Sequence, residues 1–561
     1  MVSAFTRNDT YAAIRTGRYN NLFTFVQGDY TNGGAARDAW IVPAADGGDC
    51  RHSPNPTPAG GITWCPILPI VLQPSPNTNQ KGSYSAADFV PATCLYTGIS
   101  LTDMLIAAGE APPPIGLFAN LQGGTTIEAW LPLEVASGCV NATCLCEWPT
   151  PGWTNCPIYQ PLNASCSNGD SYHAKSQSLF NMTVKAMLWY QGENNMMFDA
   201  GTAQSNTGYT CMIQTLISHY RKMWSVEPDT TDPALPFYIV GLHDGAEEGW
   251  GGMAAAMFYA HTAGYGTLPN PLLPNTYLAA AHDAGDAWDG GEECATNLCC
   301  VGTGFPLGPT CQGDFRGQWT NDTVDAGGIL HPRGKDVPGA RLAQAMFAAQ
   351  YASADSPVLA TGPVIAGCTV AGGSLTLSFD AALLKGERVT VSKPPLSDPL
   401  SLTLENTALY VLVNATLPEF DGHNPCNYAT GVCFPADYHY KGPFSTGNEL
   451  GVEGWVAVMP VAGPASNEVT VDLAPLRGQV PTAVRYALGA GSGAWQPGAS
   501  NNGPGCQRTC CGLGQDCALK PCPAGSCPIK ASGAGELPAV PFRAAIVGNK
   551  CKCVPPQVCD A

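Results

Sequence analysis

Three short segments of this sequence combine residue types that could handle charge developing on a reacting oxygen. In LQGGTTIEAW (121–130), Gly123 and Gly124 would let the backbone approach a ligand and aim an N–H at it. A glycine pair alone is explained as well by a tight turn. In WYQGENN (189–195), amides and a carboxylate cluster behind two aromatic residues, and Gln191 could donate an N–H to an oxyanion. In GGILHPRGK (327–335), His331 precedes a proline in a glycine-rich loop ahead of a helix. A solitary histidine is more often structural than catalytic. The three gain weight together because the strands of an open parallel sheet deliver their carboxyl ends to one edge, where ligands bind.

The elements that must position these residues are legible as pattern. Buried strands are predicted over PPIGLFAN (113–120), TVKAMLWYQ (183–191), LPFYIVGLH (235–243) and TYLAAAHD (276–283). Met212, Leu216, His219, Tyr220 and Met223 recur at helical spacing, which predicts a helix over 209–224. Further helices are expected over the Ala-rich 251–263 and over 340–352. Strand alternating with helix is the layout of an α/β domain with a parallel sheet. From about 356 the texture changes to short alternating runs, TLSFDAAL (376–383), RVTVS (388–392), ALYVLVNATL (408–417) and AVRYALGA (483–490). This predicts a β-rich, sandwich-like second domain. The expected organisation is an α/β domain over 1–355 and a β-rich domain over 356–561. Residues 31–85 read as loop, and about 498–535 as a Cys-, Gly- and Pro-dense insertion that needs crosslinks to hold a shape.

Composition narrows the function. The 561 residues carry a net charge of −18 with only 12% charged residues, which excludes a nucleic-acid backbone as partner, since that demands a basic surface. The 25 cysteines contain no CxxC and the nine histidines no HExxH, so neither a zinc ribbon nor a helix-borne metal site is expected. Six N-x-Ser/Thr triplets, at Asn8, Asn141, Asn163, Asn181, Asn321 and Asn414, join the cysteines in pointing to an oxidising, glycosylating compartment. The odd cysteine count leaves at least one thiol free or paired between chains. No run of 18 apolar residues occurs, so no membrane span is expected, and the first 21 residues lack the apolar core of a signal peptide.

PIGLFANLQGGTTIEAW, NMTVKAMLWYQGENN, LPNPLLPNTYLAAAHD and ILHPRGK, in this order, resemble the sialate O-acetylesterase family, and AVRYALGA and GELPAVPFRAAIV extend the resemblance into the second domain. The resemblance implies a flavodoxin-like SGNH-hydrolase fold with a three-layer parallel sheet. It implies acetyl-ester cleavage on sugars by a serine nucleophile and a histidine base, without metal or organic cofactor. Carried over, Gly123, Gly124 and Gln191 would form the oxyanion hole, His331 would be the general base, and Glu193 would organise its loop. The sequence departs from the family in two places. The GQSNM block that carries the family's nucleophile has no counterpart, so the chain is expected to begin just past it, to have lost its signal peptide, and to be nearly inactive as it stands. The QSN triplet at Gln204, Ser205 and Asn206 falls in the wrong segment, which makes Ser205 a decoy. No aspartate stands two or three positions before His331, so the triad acid is open among Asp325, Asp283, Asp286 and none. The expected partner is an O-acetylated sugar or glycan, and the expected location secreted, lysosomal or vacuolar, with oligomeric state left open. A non-catalytic glycan-binding protein or a disulfide-stapled structural protein on the same fold are the competing readings.

Overall fold

The structure, a computed structural model, describes residues 10, 13–14, 16–25, 65–66, 91–118, 120–121, 125, 127–136, 139, 143–145, 159–161, 171–192, 209–242, 261–262, 268–283, 335–392, 409–414, 455–487, 527–533 and 535–553. The predicted helix over 251–263 lies outside them except for His261 and Thr262, as does most of the Cys-rich insertion. Of the predicted 31–85 loop, only the two-residue strand Cys65–Pro66 is described.

Parallel strands carry the first part of the chain. β1 (Leu22–Phe25) pairs with β2 (Ile115–Phe118), with Leu22 opposite Ile115, and Cys65–Pro66 flanks β1 antiparallel. A second sheet runs β3 (Met187–Trp189), β4 (Phe237–Gly241), β5 (Thr276–Ala280), all parallel. Among the described residues, the parallel strands expected from the sequence thus form two groups. Among the described residues β2 and β3 share no ladder, and a cavity of about 520 Å³ lies between Gly116, Leu117 and Phe118 on one side and Lys185, Ala186 and Leu188 on the other. The opening leaves most of β2 and β3 half-buried, whereas β4 is buried along its whole length.

Helices cover both faces of the second sheet, and β4 shows why its sequence is a continuous apolar run. Phe237 and Ile239 join the cluster formed by Met212, Ile213, Leu216 and Tyr220 of α2 (Tyr209–Trp224). Tyr238 and Val240, facing the other way because strand side chains alternate, join Leu101 and Leu105 of α1 (Ala92–Ala107) and Leu342 and Met346 of α3 (Asp336–Gln350). The predicted 209–224 helix is found with those limits. The helix predicted over 340–352 starts earlier, at Asp336, because Pro338 is tolerated within a first turn, where its missing N–H costs no helical bond. α1 and α3 cross closely at Gly339, where an added Cβ would sit 2.6 Å from Tyr96 Cβ.

The later part is antiparallel. Its strands are β6 (Ile365–Ala371), β7 (Ser374–Phe379), β8 (Val389–Val391), β9 (Leu409–Val413), β10 (Trp455–Ala457), β11 (Pro460–Ala462), β12 (Glu468–Asp472), β13 (Pro481–Tyr486), β14 (Ile529–Ala531), β15 (Phe542–Val547) and β16 (Lys550–Cys553). Nine of them form one sheet, in the order β10-β9-β13-β15-β16-β6-β7-β12-β11, and β8 pairs with β14 separately. Alternation in β7 and β12 buries Leu375, Leu377, Val469 and Val471 in a shared apolar core. The Cys368–Cys551 disulfide joins β6 to β16. The chain then returns to the α/β part: Val540 N–H donates to Pro363 O at 2.8 Å, and Val364 and Val540 both pack into the α2-side core.

Candidate active site

Gln191 lies two positions past the end of β3, and described residues from three other segments hold it. Its Nε2 donates to Thr125 O at 3.0 Å, which ties the β3 exit to the segment that follows Gly123 and Gly124. Its Oε1 accepts from the Tyr209 hydroxyl at 2.9 Å, and Tyr209 is the first residue of α2. Its backbone carbonyl accepts from His261 Nε2 at 2.9 Å. Trp189 Nε1, two residues earlier, donates to the Tyr209 oxygen at 3.0 Å. Trp130 Nε1 donates to Thr125 Oγ1 at 2.9 Å, and the Trp130 and Trp189 rings meet edge to face at 6.3 Å. Tyr209, Trp130, Trp189 and His261 are all buried, so each indole N–H and hydroxyl here must find a protein partner.

Tyr190 precedes Gln191 and so points to the opposite face of the strand. There Lys335 Nζ donates to its hydroxyl at 2.9 Å and lies 4.6 Å from its ring centroid. Lys335 ends the HPRGK segment that begins with His331. Two adjacent residues at the end of one strand thus hold the segment after Gly124 and the segment after His331. His331, Gly123 and Gly124 themselves, with Glu193 and Ser205, lie outside the described residues.

Asp283, one of the candidate acids, is accounted for differently. It is buried against Arg341 of α3, whose Nη2 donates to Oδ2 at 2.7 Å and whose Nη1 donates to Oδ1 and, at 2.7 Å, to Ala280 O. Burial pushes the carboxyl up, but the Arg341 charge and hydrogen bonds outweigh it and hold Asp283 below the ordinary range. Both oxygens serve an ion pair that pins β5 to α3. Asp286 and Asp325 lie outside the described residues.

Burial lowers the neighbouring imidazoles. His261, with its Nε2–H given to Gln191 O, is pushed down to about 4, and His282, hydrogen-bonded to the Ala539 backbone, also to about 4. Both are neutral at pH 7. Among the described residues no group of three His, Cys, Asp or Glu side chains is gathered to hold a metal ion. Sequence reasoning missed Tyr209, His261 and Thr125. A tyrosine opening a helix and a histidine near the end of an Ala-rich one were the available signals, and neither specifies a partner.

Residues 95–270, which include Gln191, Tyr209 and His261, match the carbohydrate esterase family described as sialic acid-specific acetylesterase. The resemblance to the sialate O-acetylesterase family is borne out over that segment. Among individual proteins, the sialate O-acetylesterases of Pongo abelii and Homo sapiens are each 29% identical over 226 residues, covering 39% of this chain and 38% of the relative. That of Mus musculus is 28% identical over 225 residues, covering 35% and 38%. The matched region thus spans 38% of the length of these curated relatives. A crystal structure of a novel carbohydrate acetylesterase from Xanthomonas citri aligns over 96% of this chain and 76% of its own, with 17% identity and a TM-score of 0.46.

Proposed function

We propose that this protein is a carbohydrate O-acetylesterase that hydrolyses acetyl esters on sugars by a serine and histidine mechanism. The observation that carries the reading is the pair of bonds made at the end of β3, Gln191 to Thr125 and Tyr190 to Lys335, which brings the flanks of all three chemistry-bearing segments together. In this reading Gly123, Gly124 and Gln191 supply N–H donors to the oxyanion formed when a serine oxygen attacks the acetyl carbonyl. His331 takes the serine proton and returns it to the departing sugar oxygen, and water then releases acetate by the same sequence. The parallel strands belong to a flavodoxin-like SGNH domain over 1–355 that carries the site, followed by a sandwich-like domain over 356–561. A secreted or lysosomal setting fits the Cys139–Cys211 and Cys368–Cys551 disulfides and the exposure of Asn181 and Asn414, the two described sequon asparagines.

The test is acetate release from O-acetylated sialic acid and other O-acetylated sugars. It is run on the 561-residue chain and on a fusion that supplies a GQSN-bearing strand ahead of Met1, each with and without Gln191→Ala. Turnover in either form that Gln191→Ala lowers by about 10²- to 10³-fold supports the reading. Saturable sugar binding with no turnover in both forms replaces it with a glycan-binding protein.

A further inference from the structure

A carboxamide is nearly the same shape at both ends, so a glutamine serving as an oxyanion donor works only if something decides which end is nitrogen. Turned over, Gln191 would present a lone pair to a developing negative charge. The hydrogen bonds around it agree on one orientation. The Gln191 backbone carbonyl can only accept, so His261 Nε2, 2.9 Å away, carries the hydrogen. The indole N–H of Trp189 can only donate, so the Tyr209 oxygen accepts it at 3.0 Å and keeps its one hydrogen for Gln191, whose Oε1 lies at 2.9 Å and whose backbone carbonyl lies at 3.2 Å. Thr125 O can only accept, and it takes a hydrogen from Gln191 Nε2 at 3.0 Å. A 3.3 Å contact between His261 Nε2 and the Tyr209 hydroxyl closes the ring.

His261 brings two ring nitrogens into this buried place. With the hydrogen on Nε2, Nδ1 is a bare lone pair in a fully buried side chain, and it has no hydrogen-bond partner among the described residues. A leucine at this position would bring no polar atom into the core. What a leucine would lack is the Nε2 donor.

We propose that Tyr209 and His261 are positioning residues that lock the Gln191 carboxamide with its nitrogen toward Thr125, so that the oxyanion donor is set before substrate arrives. The assignment of the donor role rests on the esterase reading above, while the lock itself is a statement about one side chain.

The experiment observes that side chain. Glutamine side-chain amides are isotope-labelled in the full chain, the Gln191 signal is identified by its loss in Gln191→Ala, and its solvent exchange is followed by NMR. In the unsubstituted protein the Gln191 amide should exchange at least about tenfold more slowly than exposed glutamine amides. His261→Leu and Tyr209→Phe should abolish that protection, and His261→Gln, which returns an amide nitrogen near the Nε2 position, should restore it. Should His261→Leu fail to fold, Tyr209→Phe carries the same comparison. Protection unchanged in both His261→Leu and Tyr209→Phe, or lost in His261→Gln as fully as in His261→Leu, overturns the proposal. In an active form, loss of the lock should lower kcat about ten- to hundredfold with KM within about twofold, since misplacement of a donor by an ångström is felt in the transition state. Absence of turnover in any form sinks the esterase reading, and the exchange comparison still decides the lock.

Discussion

His261 and His282 put a pH dependence into the folded state. Each imidazole is buried and neutral with its pKa pushed down to about 4, whereas in the unfolded chain it titrates near its ordinary 6.5. The unfolded state therefore binds more protons between these values, and stability rises with pH across that window. The contribution is fully present above about pH 6.5 and is lost as pH falls toward 4, by roughly 3 kcal/mol for each histidine as an upper figure. Urea denaturation at half-unit intervals from pH 7.5 to 4 should show this decline, and His282→Gln should remove about half of its slope in that window. A slope untouched by the substitution would mean that His282 is protonated in the native protein. The neighbouring Asp283 shows that a place near the candidate sheet edge does not by itself assign a role. Its position after β5 made it a candidate acid, and its partner turns out to be Arg341, 58 residues away.

The elements are packed more tightly at one crossing than helix propensity anticipates. Alanine is ordinarily better than glycine inside a helix by about 1 kcal/mol. At Gly339 of α3 that preference should reverse, because the added Cβ would lie 2.6 Å from Tyr96 Cβ and 3.0 Å from Thr93 O, neither of which is the movable end of a side chain. Gly339→Ala is expected to lower stability by about 1–3 kcal/mol as α1 and α3 are forced apart, read by urea denaturation. A gain in stability would show that the two helices give way freely. The strands behave as their patterns require. β4, buried on both faces, is apolar throughout, and β7, buried on one, alternates. β2 and β3 are apolar too, and the sequence offers no warning that a cavity would separate them. Their pattern records what each strand can bury, and strand partnership depends on segments more than 60 residues apart.

Taken as one chain, the protein depends on a few long-range closures. Cys139–Cys211 spans 72 residues and ties the segment after Trp130 to α2, while Cys368–Cys551 spans 183 and gathers the nine-stranded sheet. Removing a crosslink restores freedom to the unfolded chain, more so for a longer loop. The paired change Cys368→Ala with Cys551→Ala should lower stability by about 2–5 kcal/mol, and the equivalent change at Cys139 and Cys211 by about 1 kcal/mol less on loop length alone. Denaturation in guanidinium of the two double variants measures both. Equal stability with and without Cys368–Cys551 would mean that the sheet's own pairing already restrains these strands. Cys94 is a free thiol beside the cavity, with burial pushing it up to about 12, so it is not a reactive thiolate at neutral pH. The later part is also bound to the first through backbone. Gly362 lies so close to Pro538 that a Cβ there would stand 1.8 Å from the Pro538 carbonyl oxygen.

The amino-acid sequence was enough to determine the helix over 209–224, the parallel strands after it and the β-rich texture beyond 356, and it singled out the segment around Gln191 as a candidate site. All of these are written in neighbours a few positions apart, whose spacing decides which face of a helix or strand is apolar. Only the tertiary structure decided that Gln191 is held by Tyr209, 18 residues on, and by His261, 70 residues on, that Tyr190 meets Lys335 across 145, and that Asp283 belongs to Arg341. The hydrogen-bonding capacity of a glutamine, a tyrosine or a histidine is the same at every position. Which capacities meet is set by how buried surfaces pack, and no local pattern encodes that.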